Sequence, residues 1–367
     1  MAITVSTIEP EEVKESLITF DVAPADGLSM LYEKAEEIQS MCNDSMISSA
    51  NLENIAVHAN PLGCEHPFRV HYSDNDDNTG VAYLTDYSFG QLCNKLSIPS
   101  RYMMQCYDNG LEDLAEHNMN TWIDNYEKDL LLRRFYDPVN NRDLVRGVLS
   151  SKYSAFDTPD IIDVLEDSTR GLDLTVKQFF LNYERFHARL IQKDLMNIDG
   201  EDLKAGIVID SSDVGRSTLT VQFFIYKQIC TNGLCISKGD AELFRQKHIN
   251  ISKDNFEKEL STAIALLPEL IKEYEYIIPR VALQQNLVGF KSRKEATDKE
   301  LERVIANLKN KTRLSDEGVE KVLDLAENRY GFSDWGVINS ITEVAQDYTL
   351  ERRIELERIA GGMLKIS

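Results

Sequence analysis

Cys230 and Cys235 stand on either side of Thr231-Asn232-Gly233-Leu234, where the strand-like run "TLTVQFFIYKQIC" ends. Two thiols so close together are half of a zinc site, because zinc takes four thiolate or imidazole ligands in a tetrahedron. Cys64, His66 and His71 in "CEHPFRVH" are the conceivable other half. The spacing is at the loose end of zinc patterns, and the second group lies far away in sequence. A hairpin explains the same residues, since Asn232-Gly233 favours the positive backbone dihedrals of a tight turn. The six cysteines fall at irregular positions in a long chain and are read as reduced thiols. Neither a metal nor any other cofactor is expected.

A second set of residues has the chemistry of single-strand binding, which pairs cations for phosphates with aromatic faces for bases. Lys177, Arg185, Arg189, Arg216 and Lys227 are the cations, and Phe180, Phe224 and Tyr226 the aromatics. In the run from 218, Leu219, Val221, Phe223 and Ile225 alternate with Thr220, Gln222, Phe224 and Tyr226. The first set is expected in the core and the second on the opposite face. A sheet covered by helices on both faces would account for these residues without any ligand.

Catalytic patterns are absent: the chain has no G-x-S-x-G, no phosphate-cradling G-x-x-x-x-G-K-[ST], no H-E-x-x-H and no G-x-G-x-x-G. His187 is a lone histidine in a strand, more often structural than a base. The chain is read as a non-enzyme.

These residues must be held by recognisable elements. "TVKQFFLNY", "HARLIQKD", "LKAGIVID" and "STLTVQFFIYKQIC" read as successive strands separated by short polar turns. "LVRGVLSSKYSAF" is taken as the strand before them, joined by a helix at "DTPDIIDVLEDS" capped by Asp157 or Thr158 with Pro159 in its first turn. "QLCNKLSIPSRYMMQ" has the cadence of a helix-turn-helix, but Arg101 is the single cation on its second helix, so a plain helical hairpin is the simpler reading. From about 252 onward the pattern is helical. "NFEKELSTAIALLPELIKEYEYI" is read as one segment, Thr297 and Glu300 form a capping box, and Gly361-Gly362 end the last helix.

Charge divides the chain unevenly. Residues 1–132 hold 6 Lys and Arg against 23 Asp and Glu, residues 133–247 hold 16 against 17, and residues 248–367 hold 18 against 21. Since phosphate binding is driven by cations, only the middle segment is balanced enough to carry a basic patch. The acidic first third suits a second role, occupying a basic host surface or imitating nucleic acid. No run of about 18 apolar residues occurs and the N-terminus lacks a signal-peptide pattern, so a soluble, intracellular protein with no membrane partner is expected.

At "LVRGVLSSKYSAFDTPDIIDVLED", "DSSDVGRSTLTVQFFIYKQICTNGL" and "NSITEVAQDYTLERRIELERIAGGML" the chain resembles a family catalogued as domain of unknown function 932. Arg146 to Ser150 with Tyr153, Ser211 to Gly215, and Cys230 to Gly233 carry the resemblance, which runs approximately from residue 80 to 363. It implies a phage or plasmid origin and a bacterial host cytoplasm, and brings no catalytic residues with it.

The sequence thus predicts an α+β protein: an acidic region over 1–80, a central domain with an antiparallel β-meander over 81–250, and a helical region over 251–367. Its expected function is to bind or anneal single-stranded DNA as a homo-oligomer. The alternatives are an anti-defence protein that binds a host protein through its acidic region, and a structural protein of the virion.

Overall fold

The computed structural model describes residues 18–19, 24–56, 67–74, 78–170, 174–193, 196–198, 200–227, 232–235, 242–247, 252–284, 287, 289 and 292–363. A short strand β1 (Ile18–Thr19) and a helix α1 (Pro24–Ser40) come first. Strands β2 (Cys42–Ile47), β3 (Leu52–Ala56), β4 (Phe68–Ser73) and β5 (Thr79–Leu84) follow. Three helices, α2 (Asp86–Leu96), α3 (Ser100–Asp108) and α4 (Glu112–Asp124), lead to β6 (Leu130–Asp137) and β7 (Arg142–Ser150). After α5 (Thr158–Thr169) come β8 (Leu174–Leu181), β9 (Phe186–Gln192), β10 (Met196–Ile198) and β11 (Glu201–Ser211). The meander continues through β12 (Leu219–Lys227), β13 (Asn232–Cys235) and β14 (Glu242–Gln246). Among the described residues the α-helices that follow are α6 (Lys253–Ala265), α7 (Leu267–Leu283), α8 (Asp298–Thr312), α9 (Asp316–Leu325), α10 (Asp334–Val344) and α11 (Leu350–Gly362).

This is an α+β architecture with two sheets. The larger runs β1-β8-β9-β11-β12-β13, with β10 added to β11 and β14 to β12, and every pairing in it is antiparallel. The smaller runs β2-β6-β7-β5-β4-β3, antiparallel except for the parallel pair β5 and β7. The strand at "LVRGVLS" is therefore not the first strand of the meander. It is β7, hairpinned to β6 in the smaller sheet, because a short loop brings its immediate predecessor alongside.

Local signals behave as their chemistry requires. Asp157 is the N-cap of α5, and Pro159 lies in the first turn. The Thr297–Glu300 box forms, with the Thr297 amide donating to Glu300 Oε2 at 2.8 Å. Leu92, Leu96, Ile98 and Met103 of the α2–α3 hairpin are buried in the core of the smaller sheet. The segment read as one helix from 255 onward is two, α6 and α7, with Pro268 in the first turn of α7. Proline has no amide to continue the helical ladder, so it starts a helix instead.

Leu219, Val221, Phe223 and Ile225 are buried, joined by residues of α1, α5, α6 and α7 on one face of the larger sheet. The other face carries the polar chemistry.

Candidate functional site

The pairing register decides what shares that other face. His187 is opposite Asp210 across β9 and β11, and Asp210 is opposite Thr220 on β12, which in turn faces Arg245 on β14. One step along, Arg189, Val208 and Gln222 form the next row. Helix α11 seals part of this surface. Arg189 forms a salt bridge with the fully buried Glu357, which also accepts from Arg353 Nε at 3.0 Å. Gln178 Oε1 accepts from both arginines, at 3.3 Å and 3.2 Å, and Phe180 packs on Ile354.

Beyond α11 the face opens into a cleft of about 630 Å³. Its rim is exposed and cationic, formed by Arg216, Arg245, Lys247 and Arg358 together with Glu355. Its floor is buried and consists of Arg185, Asp210, Thr220, Gln222 and Ile354. Arg185 grips Asp210 fork to fork, Nε to Oδ1 at 3.1 Å and Nη2 to Oδ2 at 3.0 Å. Arg216 donates to Glu184 Oε2 at 2.8 Å, and its guanidinium lies 5.4 Å from the centre of the Tyr87 ring. Five cations against two carboxylates in the lining make this a positive region on a chain of net charge -21. His187, under the same face, is held neutral, its pKa pushed well below the usual value by burial and by Arg189, Arg185 and Arg353.

The loop that delivers Arg216, between β11 and β12, is clamped to the smaller sheet. Gln91 Nε2 donates to the Val214 carbonyl at 2.9 Å, while its Oε1 accepts from the Val148 amide at 2.8 Å. The Tyr153 hydroxyl, at the cleft wall, donates to the Asp213 carbonyl at 2.7 Å. Behind it lies a buried charge centre. Arg133 Nη1 donates to Asp157 Oδ1 at 2.7 Å and Arg133 Nε to Asp44 Oδ2 at 3.0 Å. Arg146 Nη1 donates to the Tyr183 carbonyl at 2.7 Å and lies 3.6 Å from Asp213 Oδ2. Burial opposes charge on Arg133, but Asp157 and Asp44 outweigh it and raise its pKa. Burial would raise Asp157 as well, yet Arg133 holds it below the usual carboxylate range. Asp213 goes the other way: burial first, then the charge of Asp157, push it up to about 7. Thr158 Oγ1 donates to its Oδ1 at 2.9 Å.

Of the residues proposed from sequence, Arg185 and Arg216 meet in the cleft. Lys177 sits beside the bulge in β8, outside the lining. Arg189 is a correction: a long cation in a strand is as well suited to a buried ion pair as to a phosphate, and α11 takes it. Phe180 and Phe224 are corrected too. Both are buried, Phe180 against Ile354 and Phe224 with Ile191 and Val208, so neither presents a face to a base. The side chains of Tyr226 and Lys227 lie outside the described residues, as do Cys64, His66 and Cys230 of the zinc reading. Asn232 and Gly233 pair with Lys227 and Tyr226 within β13, so they belong to the returning strand and not to the turn.

Arg245, Lys247 and Arg358 escaped the sequence reading. Arg245 stands in the short edge strand β14 and Lys247 directly after it, without a long alternating pattern. Arg358 is on the last helix, where nothing local tells a cation that faces the cleft from one that faces solvent.

A two-sheet α+β protein with a cation-rimmed cleft is thus the class defined by fold and site. A family model described as Domain of unknown function (DUF932) matches residues 145–360, more than half of the chain, and the chain belongs to that family. The match starts at Val145, so residues 80–144 of the resemblance lie outside it, while every residue lining the cleft lies inside it. No curated protein and no solved structure matches. No helix among the described residues is long and apolar enough to cross a membrane.

Proposed function

We propose that the protein binds single-stranded DNA without catalysing a reaction on it, the phosphates meeting the cleft. The observation that carries this reading is the convergence of Arg185, Arg216, Arg245, Lys247 and Arg358 on one cleft of an otherwise acidic chain. Phosphate contacts supply affinity by releasing counterions, and concentrated cations are what they need. Assembly into a homo-oligomer would line up several such clefts along a strand and raise avidity without new contacts. A mobile-element setting in a bacterial cytoplasm fits this role.

Fluorescence anisotropy with labelled single-stranded oligonucleotides, repeated over a range of salt, tests the proposal. If the four rim cations, Arg216, Arg245, Lys247 and Arg358, engage phosphates, log affinity falls with log salt at a slope of roughly -2.8 per protomer, taking about 0.7 per contact. A flat response, or no binding at low salt, would sink it.

One observation favours a second reading, an interaction protein that takes a basic host partner. Leu111, Leu114 and Trp122 are 49%, 41% and 51% exposed at helical spacing on and beside α4. That helix carries Glu112, Asp113, Glu116 and Asp124 and no Lys or Arg. Such an acidic surface with an apolar stripe suits a basic amphipathic helix. Substituting Trp122→Ser distinguishes the readings, since oligonucleotide binding should be unaffected while a partner of this kind should be lost.

A further inference from the structure

The division between rim and floor says more about the ligand than the charge does. The exposed cations stand at the mouth, where phosphates stay partly hydrated. The floor offers different chemistry. Thr220 is 7% exposed and Gln222 is 8% exposed, and both line the cleft. Ser217, in the wall beside them, has its Oγ buried without a hydrogen-bond partner. Buried polar groups are as a rule hydrogen-bonded, so an unpartnered hydroxyl beside the neutral Thr220 and Gln222 marks the place where a polar ligand edge fits. Asp210, also on the floor, turns a phosphate away from this depth. Its charge is already matched by Arg185, so the floor as a whole is neutral.

A group that enters past the rim is therefore flat, uncharged and rich in hydrogen-bonding edges, which describes a nucleobase. Resting on the reading of the cleft as a single-strand site, we infer that it seats one nucleotide with its base edge on Gln222 and Thr220 and its phosphates at the arginine rim. The carboxamide of Gln222 presents a donor and an acceptor side by side, the complement of the N6 and N7 edge of adenine. Tyr153 gives the wall an aromatic ring of the kind bases stack on, its hydroxyl fixed by the Asp213 carbonyl. Gln222 is thus the residue that sets specificity, and the strand is read for adenine at one position per protomer.

The test uses the full-length protein and three labelled homopolymers of equal length, dA, dC and dT, at one fixed salt concentration and then over a salt series. The expected result is tighter binding of dA than of dT by at least about 5-fold, as a bidentate base contact gives. Gln222→Leu should abolish the preference and leave the salt slope as it was, since the rim cations are untouched. Gln222→Glu, which offers acceptors only, should move the preference toward dC, whose amino group donates. Equal wild-type affinity for the three oligomers, with a steep salt slope, overturns the inference and leaves phosphate binding standing. Loss of the dA preference on Gln222→Leu without the shift to dC on Gln222→Glu also overturns it, because the carboxamide would then be acting through packing alone. No binding of any oligomer at low salt removes the single-strand reading and this inference with it.

Discussion

Asp213 and Arg146 face each other at the junction of the two sheets, Oδ2 to Nη1 3.6 Å apart, and both side chains are buried. The carboxyl group does not take full advantage of this neighbour, since burial and Asp157 outweigh it and hold the pKa near 7. A buried acid with that property ties the fold to pH.

Two opposed slopes are predicted in the pH dependence of stability. Asp213 titrates near 3.8 when unfolded and about 7 when folded, so its contribution is fully present below the lower value and is lost as pH rises through the upper one. His187 has an ordinary value of 6.5 and a depressed folded one, so its contribution is present above 6.5 and is lost as pH falls. Between about pH 4 and 6.5 the two oppose each other. Thermal unfolding followed from pH 4.5 to 8 checks this. Asp213→Asn should leave stability rising with pH up to about 6.5, and His187→Leu should leave it falling up to about 7. Parallel curves for the two variants would refute the assignment.

Arg133 anchors the centre behind Tyr153. Replacing it by methionine strands Asp157 and Asp44 next to a guanidinium-sized apolar gap, and removing one partner of a buried pair costs about 3–5 kcal/mol. Urea unfolding should show a loss of that size with little change in slope. Arg133→Lys should recover only part of it, because one ammonium cannot fork two carboxylates.

Arg189 and Lys247 are predicted to separate stability from binding. Arg189→Met removes one donor from the buried Glu357 and should cost about 1–3 kcal/mol, with Arg353 still in place. It should not change the salt slope for single-stranded DNA. Lys247→Ala should do the reverse, flattening that slope by about 0.7 at unchanged stability. A flatter slope for the methionine variant would mean that α11 moves aside for the ligand.

Gly206 lies at the centre of the larger sheet, opposite Phe224, where any Cβ would collide with the Leu190 carbonyl oxygen and the Phe224 ring. Gly206→Ala should therefore destabilise by about 1–3 kcal/mol through overpacking. An unchanged melting temperature would show that the β9 backbone at Leu190 gives way as well as the Phe224 ring.

Some of this arrangement could be read from the chain and some could not, for identifiable reasons. Alternation placed Leu219 to Ile225 in the core and put Thr220 and Gln222 on the face that proved to be the cleft floor, because side-chain period is a local property. The smaller sheet was harder to see. Arg133 and Arg134 interrupt the apolar run of β6, and only a structure shows that both are buried, Arg133 among carboxylates and Arg134 beside Tyr72 and Ser45. The cleft was half visible: Arg185 and Arg216 lie in the meander, whereas Arg245, Lys247 and Arg358 reach it from an edge strand and a distant helix. Phe180, Phe224 and Arg189 show the reverse problem, since a residue suited to a ligand is equally suited to a core or an ion pair, and only packing decides.

Helix α11 contributes Ile354, Glu355 and Arg358 to the cleft and Glu357 to the ion pair beneath it. A ribosome makes these residues after every strand of both sheets. The sheets can therefore pair during synthesis, but the cleft is closed only when α11 docks. A chain without this helix would hold much of the core and lack one wall of the cleft.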